Sequence, residues 1–170
     1  MSGQLAYTAF ETDIGWIAIL GTAAGLRRVT LPHRSRSEAI QCLGGAAEQA
    51  LRDDTRFANL AKRLKDFFHG DRPGFPDTID FSGATAFQRA VWEAARQIPY
   101  GEARSYGDLA EQVGRPGAAR AVGQCMARNP VAVVIPCHRV VASGGRLGGF
   151  GGGEDLKRYL LEMEASAPGR

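Results

Sequence analysis

The sequence predicts two domains. Residues 1–82 should form an α/β N-terminal domain, an antiparallel meander plus helices, and residues 83–170 a mainly α, winged-helix-like C-terminal domain. Three observations lead to this division. Short apolar runs separated by turn residues open the chain, a cluster of glycine, proline and aspartate fills residues 70–77, and helical spacing of apolar residues behind capping signals follows. A chain of 170 residues can build two small cores.

The first elements should be strands. Apolar runs at residues 5–10, 16–20 and 25–31 follow one another with turn signals between them. Strands at this spacing pair with their neighbours in the chain. The N-terminal domain should therefore begin with a short antiparallel meander.

Two helices should follow the meander. Ser37, followed by an acidic residue, could start a helix that runs to about Arg52, although the pair at 44–45, both glycine, weakens the pattern. A second helix from about Asp54 carries its aromatic and aliphatic side chains on one face. That face should pack in the core.

The C-terminal domain should be mainly helical. Thr85 and Gln88 form a capping box that opens one helix, and Ser105 opens another in the same way. A helix over residues 118–127 follows after a tight turn, which gives a helix-turn-helix pattern, and a last helix covers about 154–165. Many helical pairs only pack together, so this pattern alone does not establish DNA binding.

Positive charge is concentrated in the second half of the chain. The formal net charge is +3, while residues 1–82 carry ten basic and ten acidic side chains, so the whole excess lies beyond them. Residues 103–146 hold arginine but no lysine, which suggests contacts with phosphates or base edges, or else a solvated surface with a chance bias. These arginines are Arg104, Arg115, Arg120, Arg128, Arg139 and Arg146.

Cys137 is the candidate for reactive chemistry. It follows an apolar run and Pro136, which favours an extended segment that ends at a turn, and His138 and Arg139 come directly after it. An imidazole or a positive charge activates a thiol by favouring the thiolate, whereas an apolar setting alone raises the thiol pKa. The alternative is a small buried hydrophobic residue, which most single cysteines are.

Two further features lie near this cysteine in sequence. Residues 143–153 contain many glycines, which let a backbone approach a ligand closely. Glu164 falls at the edge of the apolar stripe that Leu156, Tyr159, Leu160 and Met163 form on the last helix. A carboxylate at the unfavourable end of a helix dipole should have a specific partner.

Cysteine usage and the N-terminus suggest a location. Cys42, Cys125 and Cys137 form no CxxC pair, which argues against a disulfide scaffold and a zinc site and fits a reducing compartment. No metal or cofactor is expected. Neither a signal peptide nor an apolar run of membrane-spanning length is evident, so a cytoplasmic protein without a membrane partner is expected.

Three motifs carry a family resemblance. The segments at 118–123 (AARAVG), 129–131 (NPV) and 135–141 (IPCHRVV) closely resemble the O6-alkylguanine-DNA alkyltransferases, also called methylated-DNA–protein-cysteine methyltransferases. The resemblance implies DNA repair by direct, single-turnover transfer of the alkyl group from O6-alkylguanine, and also O4-alkylthymine, to Cys137 as an irreversible S-alkylcysteine. The implied partner is double-stranded DNA, approached by a monomer through the minor groove. The target base must be flipped out of the stack.

The resemblance also implies residue roles, by matching position. Cys137 is the nucleophile, His138 the base that draws its proton through a water, and Glu164 the group that orients His138. Tyr106 aids flipping and donates toward guanine N3, and Arg120 fills the vacated stack.

The resemblance implies further contacts with the base and the DNA. Asn129 is the hinge before the thiol segment, and the Val140 carbonyl and the Gly151 amide read the base. The remaining candidate DNA contacts are Ser105, Ala119 and Arg139. Many relatives have tyrosine where this chain has Phe150, so a phenolic hydroxyl is missing from the glycine-rich loop.

Three other functions compete with repair. A non-catalytic protein that binds alkylated DNA and signals for repair would lack the nucleophile, so Cys137 argues against it. A transcription regulator that uses the helix-turn-helix alone would leave Cys137, His138 and Glu164 without a purpose. A cysteine hydrolase finds no support, because no distant histidine and asparagine or aspartate arrangement is evident.

Overall fold

The computed structural model describes residues 3–166 of the chain. They form two compact units. The first contains the described residues up to Phe81 together with Pro130–Val134, and the second contains Ser82–Asn129 and the described residues from Ile135 onward. Within residues 3–166, no helix has the length and apolar character needed to cross a membrane.

A four-stranded sheet forms the first unit. Its strands are β1 (Ala6–Thr12), β2 (Gly15–Thr22), β3 (Gly25–Val29) and β4 (Leu51–Arg52), in the order β3-β2-β1-β4. β1 and β2 pair antiparallel, as do β2 and β3, so the predicted meander is confirmed. β4 adds a short parallel edge to β1 that the sequence did not predict.

The first predicted helix is shorter than expected. α1 covers only Arg36–Cys42 and is capped by Ser35, whose Oγ accepts a hydrogen bond from the Glu38 N–H. Gly44 then adopts a φ of +84°, which a non-glycine residue rarely does, and the chain turns into a 3₁₀ segment at Gly45–Gln49. The prediction of one helix to about residue 52 was therefore wrong.

The second helix begins later than predicted. α2 covers Ala58–Phe68 rather than starting near Asp54. Asp54 instead accepts hydrogen bonds from Thr8 and Arg52, which fix the segment before the helix. The predicted apolar face of α2 is confirmed, because its buried residues are Leu60, Leu64, Phe67 and Phe68.

The second unit is mainly helical, as predicted. Its helices are α3 (Ala86–Arg96), α4 (Tyr106–Gln112), α5 (Ala119–Ala127) and α6 (Glu154–Ser166). The capping boxes that open α3 and α4 are both confirmed. They explain where these helices begin, because each box satisfies N–H groups that would otherwise lack partners.

The helix-turn-helix pair packs on α3. Val91 of α3, Leu109 of α4 and Val122 of α5 are each fully buried. Burial of such a side chain contributes about 1.5–3 kcal/mol. The Trp92 indole N–H also donates to the Cys125 carbonyl over 2.8 Å, which ties α3 to α5.

The apolar run before Cys137 does not form the predicted extended segment throughout. Val131 bridges to Val29 in the first unit, but Val133 then adopts a φ of +70° within a turn. This left-handed conformation is unfavourable for a β-branched residue, at a cost of order 1–3 kcal/mol. The segment just before it is fixed, since Val29 N–H donates to the Pro130 carbonyl and Ala132 N–H donates to the Val29 carbonyl.

Candidate active site

A single 3₁₀ turn, Cys137–Arg139, carries three of the predicted site residues. Pro136 precedes it with a φ of −80°, which ends the extended backbone and starts the turn at the cysteine. Cys137 is 7% exposed and His138 1% exposed. A strand β6 (Val140–Val141) follows at once and pairs in parallel with β5 (Arg104–Ser105), which fixes the turn beside the start of α4.

Glu164 lies at the centre of the charged cluster and is itself 1% exposed. Its Oε2 lies 2.6 Å from His138 Nε2, and the Arg139 guanidinium donates to both carboxylate oxygens over 2.9 Å. The Gly101 N–H also donates to Oε1, and Arg139 Nη1 donates to the Ile98 carbonyl. The specific partner predicted for this carboxylate is therefore found, and the guanidinium predicted as a DNA contact is directed to it.

These contacts set the charge states of Glu164 and His138. Burial alone would raise the pKa of Glu164, but the hydrogen bonds from His138 and Arg139 outweigh it and bring the pKa to about 2. Burial also lowers the pKa of His138, and Glu164 only partly offsets this. An ionised carboxylate can only accept, so Nε2 carries the imidazole proton and Nδ1 carries the basic lone pair.

Cys137 is a protonated thiol in this setting. Burial raises its pKa, while a hydrogen bond from the Asn129 side chain and the charge of Lys157 partly oppose that effect. Asn129 Nδ2 also donates to the Ile135 carbonyl over 2.8 Å, so this amide holds the segment just before the thiol. A thiol of this kind needs a base before it can act as a nucleophile.

Lys157 is a residue that the sequence prediction missed. It is 0% exposed, and its Nζ donates to the Val140 carbonyl over 2.7 Å and to the Gly149 carbonyl over 3.4 Å. Burial lowers its pKa to about 8. Sequence spacing contained a signal, because positions 157, 160 and 164 lie on one helix face.

The inward face of α6 therefore differs from the predicted stripe. The buried residues are Lys157, Leu160 and Glu164, whereas Tyr159 is 43% exposed. The prediction placed only apolar residues in the interior. It failed because the thiol turn, Cys137–Arg139, and its neighbour β6 carry polar groups that pair with Glu164 and Lys157.

Tyr106 contacts the glycine-rich loop. It is the first residue of α4, directly after the cap Ser105. Burial raises the pKa of its phenol, and a hydrogen bond from the Gly149 backbone acts in the opposite direction. The phenol is therefore neutral at pH 7. Gly148 has a φ of +78°, and a Cβ there would overlap the phenolic oxygen and lie 2.9 Å from Cζ. Glycine is required at this position.

The other predicted residues lie in different places. The Val140 side chain is buried, and its carbonyl accepts from Lys157. Ala119 is the first residue of α5, and Arg120 beside it is exposed. Gly151 is exposed in a turn before α6. The structure thus brings the thiol, imidazole, carboxylate, amide and phenol together, and leaves Arg120 and Gly151 on the surface.

The described residues offer no obvious metal centre. Within residues 3–166, no group of three or more histidine, cysteine, aspartate or glutamate side chains is arranged to hold a metal ion. Cys42, Cys125 and Cys137 are all free thiols. The chemistry that the site supports is that of a thiol, an imidazole and their charged neighbours.

Comparisons with known proteins agree with this geometry. Residues 86–166 match the family model of the 6-O-methylguanine DNA methyltransferase DNA-binding domain. The methylated-DNA–protein-cysteine methyltransferase of Methanosarcina acetivorans is 36% identical over 160 residues, which cover 94% of this chain and 98% of that protein. The Mycobacterium leprae protein of the same name is 50% identical over 114 residues, 67% of this chain and 68% of the relative.

Solved structures show the same fold. The crystal structure of the Mycobacterium tuberculosis O6-methylguanine methyltransferase has a TM-score of 0.81 at 36% identity, over 98% of this chain and 96% of that one. The Mycobacterium tuberculosis OGT in complex with DNA has a TM-score of 0.80 at 39% identity, over 95% and 94% of the two chains. The chain therefore belongs to the methylated-DNA–protein-cysteine methyltransferase family.

Proposed function

We propose that the protein repairs double-stranded DNA by moving the alkyl group of O6-alkylguanine, and of O4-alkylthymine, directly onto Cys137. One observation carries the proposal: a buried thiol precedes an imidazole whose Nε2 is held by an ionised, buried carboxylate. The DNA-bound relative named above supports DNA as the partner. The match over residues 86–166 supports the assignment of this chemistry to the domain at 83–170.

The transfer is a single displacement. His138 Nδ1 takes the thiol proton through a water, because neighbouring side chains on a turn do not face each other directly. The Cys137 sulfur attacks the alkyl carbon, so one S–C bond forms as the C–O6 bond breaks and its electron pair stays with the base. The Tyr106 phenol donates to the base as that charge develops, and a proton restores neutral guanine. The thioether cannot be reversed by the protein, so each molecule acts once.

DNA approaches through α5. Its first turn presents small side chains, Ala118 and Ala119, beside the exposed Arg120, which allows a close approach to the minor groove. The alkylated base must leave the stack, at a cost of a few kcal/mol. Arg120 fills the vacated space, and the Gly151 amide and Val140 carbonyl read the extruded base. The Ser105 end of α4 supplies backbone contacts. We further propose that the protein acts as a monomer in the cytoplasm.

Mass spectrometry tests the reaction. Wild-type protein incubated with a duplex that contains O6-methylguanine should gain one methyl group, and peptide mapping should place it on Cys137. Cys137→Ser should gain none, whereas Cys42→Ser, a change at an exposed thiol, should behave as wild type. Methyl transfer by Cys137→Ser would refute the assignment. Binding of the lesion by wild type without any mass gain would favour the signalling protein.

A further inference from the structure

A cation–π pair in the second unit takes no part in the proposed reaction. Arg115 lies in the turn between α4 and α5, and its guanidinium carbon lies 5.8 Å from the centre of the Phe87 ring on α3. Phe87 is partly buried, whereas Arg115 is exposed. A guanidinium over an aromatic face is held there while its N–H donors stay able to bind a further group. The ring therefore serves as a platform for an exposed cation.

The backbone of Arg115 is fixed as well. Gly114 adopts a φ of +77°, its N–H donates to the Glu111 carbonyl, and the Arg115 N–H donates to the Ala110 carbonyl over 2.8 Å. These two bonds form a Schellman motif, which ends α4. The Arg115 carbonyl in turn accepts from the Ala118 N–H over 3.0 Å. Main chain and side chain are thus both held before a ligand binds, which reduces the entropy lost on binding.

No carboxylate balances the charge of Arg115. Within residues 3–166, no aspartate or glutamate lies within salt-bridge distance of its guanidinium. By contrast Arg158, an exposed arginine of the same unit, pairs with Glu154 at 2.8 Å. A planar guanidinium with unused N–H donors suits a phosphate group, which accepts two parallel hydrogen bonds.

The turn that carries Arg115 leads directly into α5, which begins at Ala119. A duplex that meets the first turn of α5 therefore brings its backbone close to Arg115. We propose that Phe87 is a positioning residue that holds Arg115 for a contact with the sugar–phosphate backbone of DNA, away from the extruded base. The proposal rests on the function proposed above. Such a contact fixes the register of the protein on the duplex and carries no information about the lesion.

Duplex binding and its salt dependence test the Arg115 contact. Each protein is titrated with a short undamaged duplex between about 50 and 200 mM salt. Arg115→Ala should bind about tenfold more weakly at the lower salt, and the slope of log affinity against log salt should fall by about one, as expected for one lost phosphate contact. Arg158→Ala removes the same charge from a surface ion pair and should stay within about twofold of wild type.

Methyl transfer separates binding from chemistry. With an O6-methylguanine duplex, Arg115→Ala should need about tenfold more DNA for its half-maximal rate, whereas its rate at saturating DNA should stay within about twofold of wild type. A wild-type affinity and salt slope in Arg115→Ala would overturn the proposal, and so would a large fall in the saturated rate. If wild-type protein binds the duplex but transfers no methyl, the proposed repair chemistry fails, and the salt slopes still decide the role of Arg115.

Variants of Phe87 test whether it acts through Arg115. Phe87→Leu keeps apolar bulk but removes the aromatic face, so affinity should fall about threefold while the salt slope, which reports charge, stays as in wild type. Phe87→Tyr keeps the face and should bind as wild type. The double variant with Arg115→Ala should bind no more weakly than Arg115→Ala alone, and additive losses would refute the positioning role.

Arg115→Lys repeats this test from the other side if Phe87→Leu does not fold. Lysine keeps the positive charge but has no planar group to lie over the ring. Its affinity should fall about threefold at an unchanged salt slope. An affinity equal to that of wild type would show that the platform has no role in binding and would overturn the proposal.

Discussion

Glu164→Gln should damage both the stability and the chemistry of this protein. In the native chain one carboxylate receives His138 Nε2 at 2.6 Å and two Arg139 nitrogens at 2.9 Å. An amide keeps the shape but offers one acceptor oxygen, and its NH₂ group must face either the imidazole or the guanidinium. One buried donor then lacks an acceptor, and Arg139 loses its counter-charge.

The size of the loss follows from the contacts. Removal of one partner from a buried ion pair costs about 3–5 kcal/mol. Arg139 keeps the Ile98 carbonyl and lies 5.4 Å from the centre of the Tyr100 ring, so the lower end applies, about 3 kcal/mol. The depression of the Glu164 pKa from 4.5 to about 2 also corresponds to roughly 3 kcal/mol. A positioned general base contributes about 10²–10⁴-fold, so methyl transfer should slow by about 10²-fold.

Urea unfolding and single-turnover methyl transfer measure the two effects. Glu162→Gln is the matched control, because Glu162 is an exposed carboxylate on the same helix, and it should leave both quantities near wild type. If Glu164→Gln unfolds within about 1 kcal/mol of wild type and transfers methyl within about twofold, the carboxylate neither orients His138 nor balances Arg139, and the reasoning fails.

Two further predictions concern the loop and the pH dependence of stability. Gly148→Ala should slow methyl transfer about tenfold, since its Cβ would displace the Tyr106 phenol. The control is Gly144→Ala, which has a φ of +76° and open space around it, so it shares only the backbone strain and should transfer methyl normally. Equal transfer rates in the two variants would count against the contact between residue 148 and Tyr106. The free energy of unfolding should fall as pH drops below 6.5, because burial lowers the folded pKa of His138. It should fall again from pH 4.5 toward about 2, where Glu164 gains its proton. Urea unfolding at several pH values checks this, and a free energy of unfolding that does not change with pH would contradict it.

Sequence alone predicted the features that local physics decides. The capping boxes at Thr85 and Ser105 determine where two helices begin, and period-two patterning with turns determines the meander. The sequence-based prediction failed where residues distant in the chain decide which side chains are buried. The face of α6 is set by its polar partners at the thiol turn and β6, so Lys157 was overlooked and Tyr159 was wrongly placed inside.

The buried thiol suits a protein that can act only once. An exposed, low-pKa cysteine would be consumed by any small electrophile or oxidant. Here burial raises the pKa of Cys137, while two side chains that favour its ionisation, Asn129 and Lys157, are held in place by contacts with the Ile135 and Val140 carbonyls. The sulfur is thus kept protonated at rest, and the base that the proposed reaction uses, His138, is fixed by Glu164. In the proposed reaction, water exclusion by an extruded base would strengthen the attraction between thiolate and ammonium, so we expect the reactivity of Cys137 to rise when the damaged base occupies the site.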